Sequence, residues 1–394
     1  MQKFLSHLKG DRVIWMVALF LCTLSVLAVY SAVSSLVWKA EGGSSAGVLI
    51  KHVFMLGLGL AFMYGTHLLP LTVFSRIGQL MIWVVIPLLV FTMFFGSNIN
   101  NADRWIRIPG IGVTFQTSDL AKLVLIIYVA RQLTVKRQML DDFKKGVLPI
   151  VLPIAMVCGL VLPANFSTAA LIGFVCFLML VFGGVPWKHL FKLIGAVVGI
   201  LLLIIVIGEF GPEKLLPRYS TWKNRLVGKE VQAGAIDDSK YQIELAQYAI
   251  YEGGIIPKGP GSGTSRNFLP HPYSDMIYAF IIEEYGSILG GALVMLMYVI
   301  FLFRVIRISI RSPKYFGGLT ALGLGLVISI QAFINMGVAV DLFPTTGQPL
   351  PLVSMGGTSI VFVAIMFGVI LSISKMDEEN DETDQTEELE EAPF

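Results

Sequence analysis

An aspartate and a lysine three residues apart, Asp119 and Lys122, open the apolar run FQTSDLAKLVLIIYVA. An ionisable side chain at membrane depth costs about 2.5–3.5 kcal/mol to insert, so each one requires a partner or a function. On a helix this spacing puts the two on one face, where a local ion pair would let the helix insert. Equally, Lys122 can point into a cavity and serve an anionic substrate, oriented by Asp119 or by a glutamate from another helix. Glu283 and Glu284 lie in a second apolar run. Adjacent helical residues diverge by about 100°, so one can reach Lys122 while the other faces a wet crevice.

Asp275 stands where the glycine-rich stretch KGPGSGTSRNFLPHPYSD meets that second run. A carboxylate at a helix N-terminus can cap it, a structural role worth about 1 kcal/mol. Its company suggests chemistry: Lys258 and Arg266 precede it in the same stretch, and Arg104 and Arg107 lie in another loop. One carboxylate among several cations suits a general base working beside an anionic leaving group, although each cation alone reads equally as a surface charge. A third block, GQPLPLVSMGGTSI, carries Ser354, Gly356 and Gly357 between prolines and apolar residues. It predicts broken backbone that is buried or lines a cavity, with packing and ligand contact both open.

What must position these residues is a membrane. Of 394 residues 55% are hydrophobic and only 14% charged, too few charges to clothe a water-exposed fold. Ten apolar stretches approach the length of about 20 residues needed to cross a bilayer. They run over 13–37, 50–69, 77–95, 115–130, 147–164, 168–185, 190–208, 276–303, 316–340 and 358–374. The fold class expected is therefore all-α and polytopic: a short N-terminus (1–12), a membrane domain (13–374) and a tail (375–394). One connection is long, 209–274 between the seventh and eighth spans, and it contains the mildly amphipathic YQIELAQYAIYEGG.

With the N-terminus inside, the inner connectors hold 16 of the 29 lysines and arginines. Both termini are then cytoplasmic, and the long loop lies outside. Beyond Lys375 the tail is rich in Asp and Glu without a single base, a composition that predicts a disordered, solvated segment. Cys22, Cys158 and Cys176 all fall within spans, and the five histidines lack ligand spacing, so no structural metal site is expected. No nucleotide-binding fingerprint follows a strand, and no nucleic-acid partner is expected.

Four blocks in order, GDRVIWMVALFLCTLSVLAVYSA, RWIRIPGIGVTFQTSDLAK, YQIELAQYAIYEGGIIPKGPGSGTSRNFLPHPYSDMIYAFIIEEYG and INMGVAVDLFPTTGQPLPLVSMGGTSI, resemble the SEDS family of bacterial cell-wall proteins, the group of FtsW, RodA and SpoVE. The resemblance spans residues 10 to about 375 and is closer to the division-type FtsW branch. Its third block is the specific one: a loop ending in Leu-Pro, an Asp, then Glu-Glu and a Gly two residues on. The family's functional Asp falls on Asp275, and its Gln-Pro-Ser-Glu preceding a Lys falls on Gln116, Thr117, Ser118, Asp119 and Lys122. Thr117, Asp119, the run His271 to Ser274, Gln348 and Met355 depart from the family pattern.

The resemblance implies a ten-helix glycosyltransferase that polymerises lipid II into peptidoglycan strands on the outer face of the bacterial cytoplasmic membrane. Asp275 would be the general base and undecaprenyl pyrophosphate the leaving group. Lys122, with Asp119, Gln116, Arg104, Lys258, Arg266, Glu284, Ser354, Gly356 and Gly357, forms the expected substrate-binding set. No cofactor is demanded, and a divalent cation, Mg2+ or Mn2+, beside the pyrophosphate is compatible. The implied partners are the growing glycan strand, a class B penicillin-binding transpeptidase and other division or elongation proteins. Two rival readings use the same residues: a lipid II flippase, and a noncatalytic scaffold for wall enzymes.

Overall fold

The computed structural model describes residues 9–33, 45–99, 102–107, 114–210, 219, 223, 238–265, 268 and 273–391, with the side chains of 45, 97–99, 102–104, 107, 238–240 and 377–391 excluded. Helices α1 (Arg12–Val33), α2 (Ser45–His67) and α3 (Leu71–Phe95) come first. Three short strands follow, β1 (Ser97–Ile99), β2 (Ala102–Arg107) and β3 (Thr114–Gln116). After them run α4 (Thr117–Val135), α5 (Leu148–Val161), α6 (Phe166–Phe182), α7 (Trp187–Phe210) and α8 (Asp238–Gly253). The chain closes with α9 (Ile277–Tyr285), α10 (Leu293–Arg311), α11 (Tyr315–Ala339) and α12 (Thr358–Glu391).

Among the described residues, eight helical stretches are long and apolar enough to cross a membrane. The two remaining expected spans are present as α4, where Asp119 and Lys122 dilute the hydropathy, and α6, which is 17 residues long. The eighth span is α9 and α10 joined through one wide turn, Gly286–Ala292. Buried helices α4, α11 and the apolar part of α12 form the centre. By contrast, α7 buries only His189 and Leu190 along 24 residues, so most of its apolar surface is exposed on the outside of the bundle.

Two features depart from the sequence reading. The segment after α3 is a small antiparallel sheet in the order β1-β2-β3, with Trp105 opposite Ser97 and Gln116. Its strands are too short and too polar to show alternation, and the β2–β3 pairing leads directly into α4. The acidic tail, expected to be disordered, continues α12 as helix through Glu391. Glutamate propagates an existing helix well, and no Gly or Pro interrupts the tail between Lys375 and Pro393.

Candidate functional site

The segment Gln348–Ser354 is non-helical, yet Gln348, Leu350, Leu352, Val353 and Ser354 are buried. Backbone carbonyls inside a membrane protein must find donors, because no bulk water is there to supply them. Side chains from several helices provide these donors. Asn335 Nδ2 donates to Gln348 O at 2.8 Å, and Gln331 Nε2 donates to Pro349 O at 2.8 Å, both from α11. Tyr298 Oη of α10 donates to Pro351 O at 2.5 Å. Ser25 Oγ of α1 donates to Val353 O at 2.7 Å. Since that serine has a single proton, its 2.9 Å contact with His52 Nε2 of α2 must be a bond donated by the imidazole. The loop is thereby clamped on several sides.

This clamped loop holds Asp275. Ser354 Oγ donates to Ser274 O at 2.7 Å and accepts from Leu350 N at 2.7 Å, while Met355 N donates to Tyr273 O at 2.9 Å. Asn335 Nδ2 also donates to Asp275 O at 2.8 Å. The carboxylate itself is half-buried and accepts from Ser274 Oγ through Oδ1 at 2.8 Å. Oδ2 meets no hydrogen-bond donor among the described residues and faces Gly347, whose φ of 63° and missing side chain leave that approach open: an added Cβ there would stand 3.5 Å from Oδ2. Asp275 does not cap the following helix, which begins at Ile277 after Met276. The helix-capping role is thus unfilled, and a carboxylate with one open oxygen remains at the mouth of the span. Burial pushes the nearby Tyr273 phenol above its ordinary range, which keeps that hydroxyl protonated.

Lys122 lies on α4, linked to this mouth through α11. Its ammonium is 2.8 Å from Asp119 Oδ1 and donates to Gln331 Oε1 at 3.0 Å; both charged side chains are only 4% exposed. Ser359 Oγ of α12 donates to Asp119 Oδ2. Gln331 and Asn335 are four residues apart and share one face of α11. One therefore serves Lys122 and the other serves Asp275, with the carbonyls of Gln348 and Pro349 between them.

The glutamates do not orient Lys122. Glu283 accepts from Thr264 N at 2.8 Å, from Ser265 N at 3.1 Å and from Ser265 Oγ, and Glu284 Oε1 accepts from Gly261 N at 2.8 Å and from Ser31 Oγ. Both side chains are fully buried. A glycine-rich turn presents several backbone N–H groups together, and these donors satisfy a buried carboxylate better than one distant lysine could. Gly286 completes the arrangement: at φ 76° it lets the loop pass so closely that a Cβ would stand 2.6 Å from Ile255 O. The Glu-Glu-x-Gly signature is thus an anchor for the loop that leads to Asp275, and Glu284 is not placed to touch a substrate.

Other expected contacts divide similarly. Ser354 has its hydroxyl committed to Ser274 and Leu350, which makes it a support for the turn that carries Asp275. Gly356 and Gly357 form the turn that brings Ser359 onto Asp119; Gly357 has φ 58°, and a Cβ on Gly356 would meet Ser359 Cβ at 3.1 Å. Gln116 donates to Ser118 Oγ at 2.9 Å beside the start of α4. Lys258 pairs with Glu252 at 2.7 Å at the surface, each about one third exposed. That carboxylate raises the ammonium above its ordinary value, while the lysine holds Glu252 below the usual carboxylate range. Arg104 falls in β2 with its side chain outside the described residues, and Arg266 lies outside them altogether. Gln331, Asn335 and Ser359 were not singled out by the sequence; the only signal was three polar side chains in otherwise apolar helices.

Among the described residues, no three His, Cys, Asp or Glu side chains group as metal ligands. One open carboxylate suits a hydrated Mg2+ or Mn2+ whose other ligands are substrate phosphates, the usual mode for Mg2+.

The sequence matches the FtsW/RodA/SpoVE cell cycle protein family over residues 11–379. A probable peptidoglycan glycosyltransferase FtsW of Bacillus subtilis is 31% identical over 365 residues, covering 90% of this chain and 88% of the relative. The stage V sporulation protein E of the same organism is 28% identical, covering 93% and 97%. In three dimensions the chain is similar to a solved chain from a peptidoglycan synthase complex, with TM-score 0.70, 22% identity, and 93% and 98% of the two chains covered. It also resembles the Thermus thermophilus rod shape determining protein RodA, with TM-score 0.64, 21% identity, and 93% and 97% covered. With this span of matched sequence and a helical, polytopic fold shared with solved relatives, the chain belongs to the FtsW/RodA/SpoVE family.

Proposed function

We propose that this protein is a peptidoglycan glycosyltransferase that polymerises lipid II, with Asp275 as the general base. The observation that carries the reading is the open Oδ2 of Asp275 on a half-buried, fully braced turn, with the cation of Lys122 reached through the same helix face. Asp275 takes the proton from the acceptor sugar hydroxyl as its oxygen attacks the anomeric carbon of the donor. The carbon–oxygen bond to the lipid pyrophosphate breaks as the glycosidic bond forms, and single displacement inverts the anomeric centre. One carboxylate suffices, whereas a glycosidase needs two flanking the bond. Lys122 is the candidate cation for the departing pyrophosphate, which requires it to exchange Asp119 and Gln331 for phosphate oxygens. A Mg2+ or Mn2+ ion, if bound, would neutralise the same pyrophosphate.

The basic connectors orient both termini toward the cytoplasm and Asp275 toward the outer leaflet of the bacterial inner membrane. A class B penicillin-binding transpeptidase is the fitting partner, in line with the peptidoglycan synthase complex among the fold relatives. The FtsW-named relatives favour the division branch.

The test is glycan formation from purified lipid II by the reconstituted wild type and Asp275→Asn, each with its transpeptidase and matched for folded protein. Polymer from the wild type, and none from a variant that still binds lipid II, is the expected result. Equal activity overturns the assignment of the base. Lipid II crossing vesicles without polymer formation would establish a flippase instead.

A further inference from the structure

Gln331 and Asn335 are neutral, four residues apart on α11, and nearly inaccessible at 2% and 1% exposure. Each amide joins two parts of the site. Gln331 accepts from Lys122 Nζ at 3.0 Å and donates to Pro349 O at 2.8 Å. Asn335 donates through one Nδ2 to Gln348 O and to Asp275 O, each at 2.8 Å. Gln348 and Pro349 are consecutive, so the two amides grip neighbouring carbonyls of one short segment. An unbroken path runs from Lys122 to Gln331, to the Gln348–Pro349 backbone, to Asn335 and to the backbone of Asp275. Gln348 is held further by its own Nε2, which donates to Thr168 Oγ1 at 2.6 Å, so this segment has little freedom to absorb a displacement.

We propose that Gln331 and Asn335 are positioning residues that make the placement of Asp275 answer to the state of Lys122. The proposal rests on the polymerase reading for its purpose, although the coupling itself is a property of the fold. When Lys122 is held by Asp119 and Gln331, the carboxamide of Gln331 is fixed and the Pro349 carbonyl with it. When an anionic group draws the ammonium away, Gln331 Oε1 loses its donor and the amide can turn. The change reaches Asp275 through the shared carbonyl segment. Engagement of the donor pyrophosphate and setting of the base then become one event. A helix that merely needed internal packing would use Leu at both positions, because a buried polar group without a partner is penalised.

The coupling can be read without substrate, from hydrogen exchange at Leu350, Val353, Ser354 and Met355, whose amides are bonded within this segment or to the turn it holds. In the reconstituted protein, Lys122→Met should speed exchange at these amides by about tenfold, as expected when a local opening becomes easier. In a Gln331→Leu background, the same Lys122 change should add nothing. An unchanged segment in Lys122→Met, or an equal effect in both backgrounds, overturns the proposal.

Gln331→Glu guards against misfolding of the lysine variant. It keeps the size and the acceptor for Lys122 but cannot donate to Pro349. It should speed the same exchange and lower kcat for polymerisation by about 100-fold, the scale of a misplaced catalytic group, with KM for lipid II little changed. Asn335→Ala should show the same split between kcat and KM. Wild-type exchange and kcat in Gln331→Glu would mean that the residue only fills space, and would overturn the proposal. If the wild type makes no polymer, the polymerase reading fails on that result while the exchange measurements still decide the coupling.

Discussion

Removing Lys122 should cost far more than removing Lys122 and Asp119 together. The pair is 2.8 Å apart with both side chains about 4% exposed, so each charge depends on the other. In Lys122→Met, Asp119 keeps only the Ser359 hydroxyl, and Gln331 Oε1 loses its donor. Stranding one buried charge costs about 3–5 kcal/mol. The lost bond to Gln331 adds about 1 kcal/mol. In Asp119→Asn/Lys122→Met no charge remains, the introduced amide can still accept from Ser359, and the new methionine is close to the lysine in length. The double variant should therefore lie within about 1–2 kcal/mol of wild type, because a buried ion pair replaced by neutral groups is often nearly neutral. The coupling energy should exceed about 2 kcal/mol. Equilibrium unfolding in mixed micelles, followed by far-ultraviolet circular dichroism on all four members of the cycle, measures it. A single-variant cost below about 1 kcal/mol, or costs that simply add, would mean that water or another group already compensates these charges.

Three further outcomes follow from the geometry. Ser354→Ala removes the donor to Ser274 O and the acceptor of Leu350 N, so stability should fall by about 1–3 kcal/mol and kcat should fall with it, with Ser354→Thr partly restoring both. Gly286→Ala sets a Cβ 2.6 Å from Ile255 O at φ 76°; faster proteolysis of residues 254–265 and loss of polymer formation are expected, while unchanged proteolysis would deny the close approach. The Glu252–Lys258 pair depresses the glutamate and raises the lysine, so its small contribution should be complete between their ordinary values of 4.5 and 10.5. It disappears as pH falls through the lowered Glu252 value, and again as pH rises through the raised Lys258 value. The difference in melting temperature between wild type and Glu252→Gln, followed across pH, should form this plateau and shrink with added salt.

The spans were legible because apolar length is a property of composition alone, and Asp119–Lys122 because three residues on a helix fix their proximity. The position of Asp275 just before the eighth span was legible from the glycine-rich stretch that precedes it. The use of Glu283 and Glu284 was not: two acids in an apolar run suggest a cation as partner, and only the fold reveals that backbone N–H groups of Gly261, Thr264 and Ser265 take that place. Gln331 and Asn335 escaped for a related reason. A neutral amide has no charge to demand a partner, and its meaning lies in carbonyls that sequence does not display. The short sheet before α4 and the helical course of the tail were hidden likewise, the one by polar strands and the other by acidity that does not itself forbid helix.

A base at the edge of the hydrocarbon needs irregular backbone, because a regular helix consumes its own carbonyls and fixes where each side chain can point. Irregular backbone in that setting is stable only if every freed carbonyl is met. Here the same side chains meet both needs. Tyr298, Ser25, Gln331 and Asn335 satisfy Gln348, Pro349, Pro351 and Val353, and in doing so they fix the loop whose Ser354 and Met355 grip the turn at Tyr273 and Ser274. Rigidity around Asp275 is thus a consequence of solvation by protein. Any substitution that frees one of these carbonyls should lower stability and loosen Asp275 together, whereas loss of the Asp275 carboxylate, which among the described residues accepts a hydrogen bond only from Ser274, should abolish the proposed chemistry and leave the fold standing.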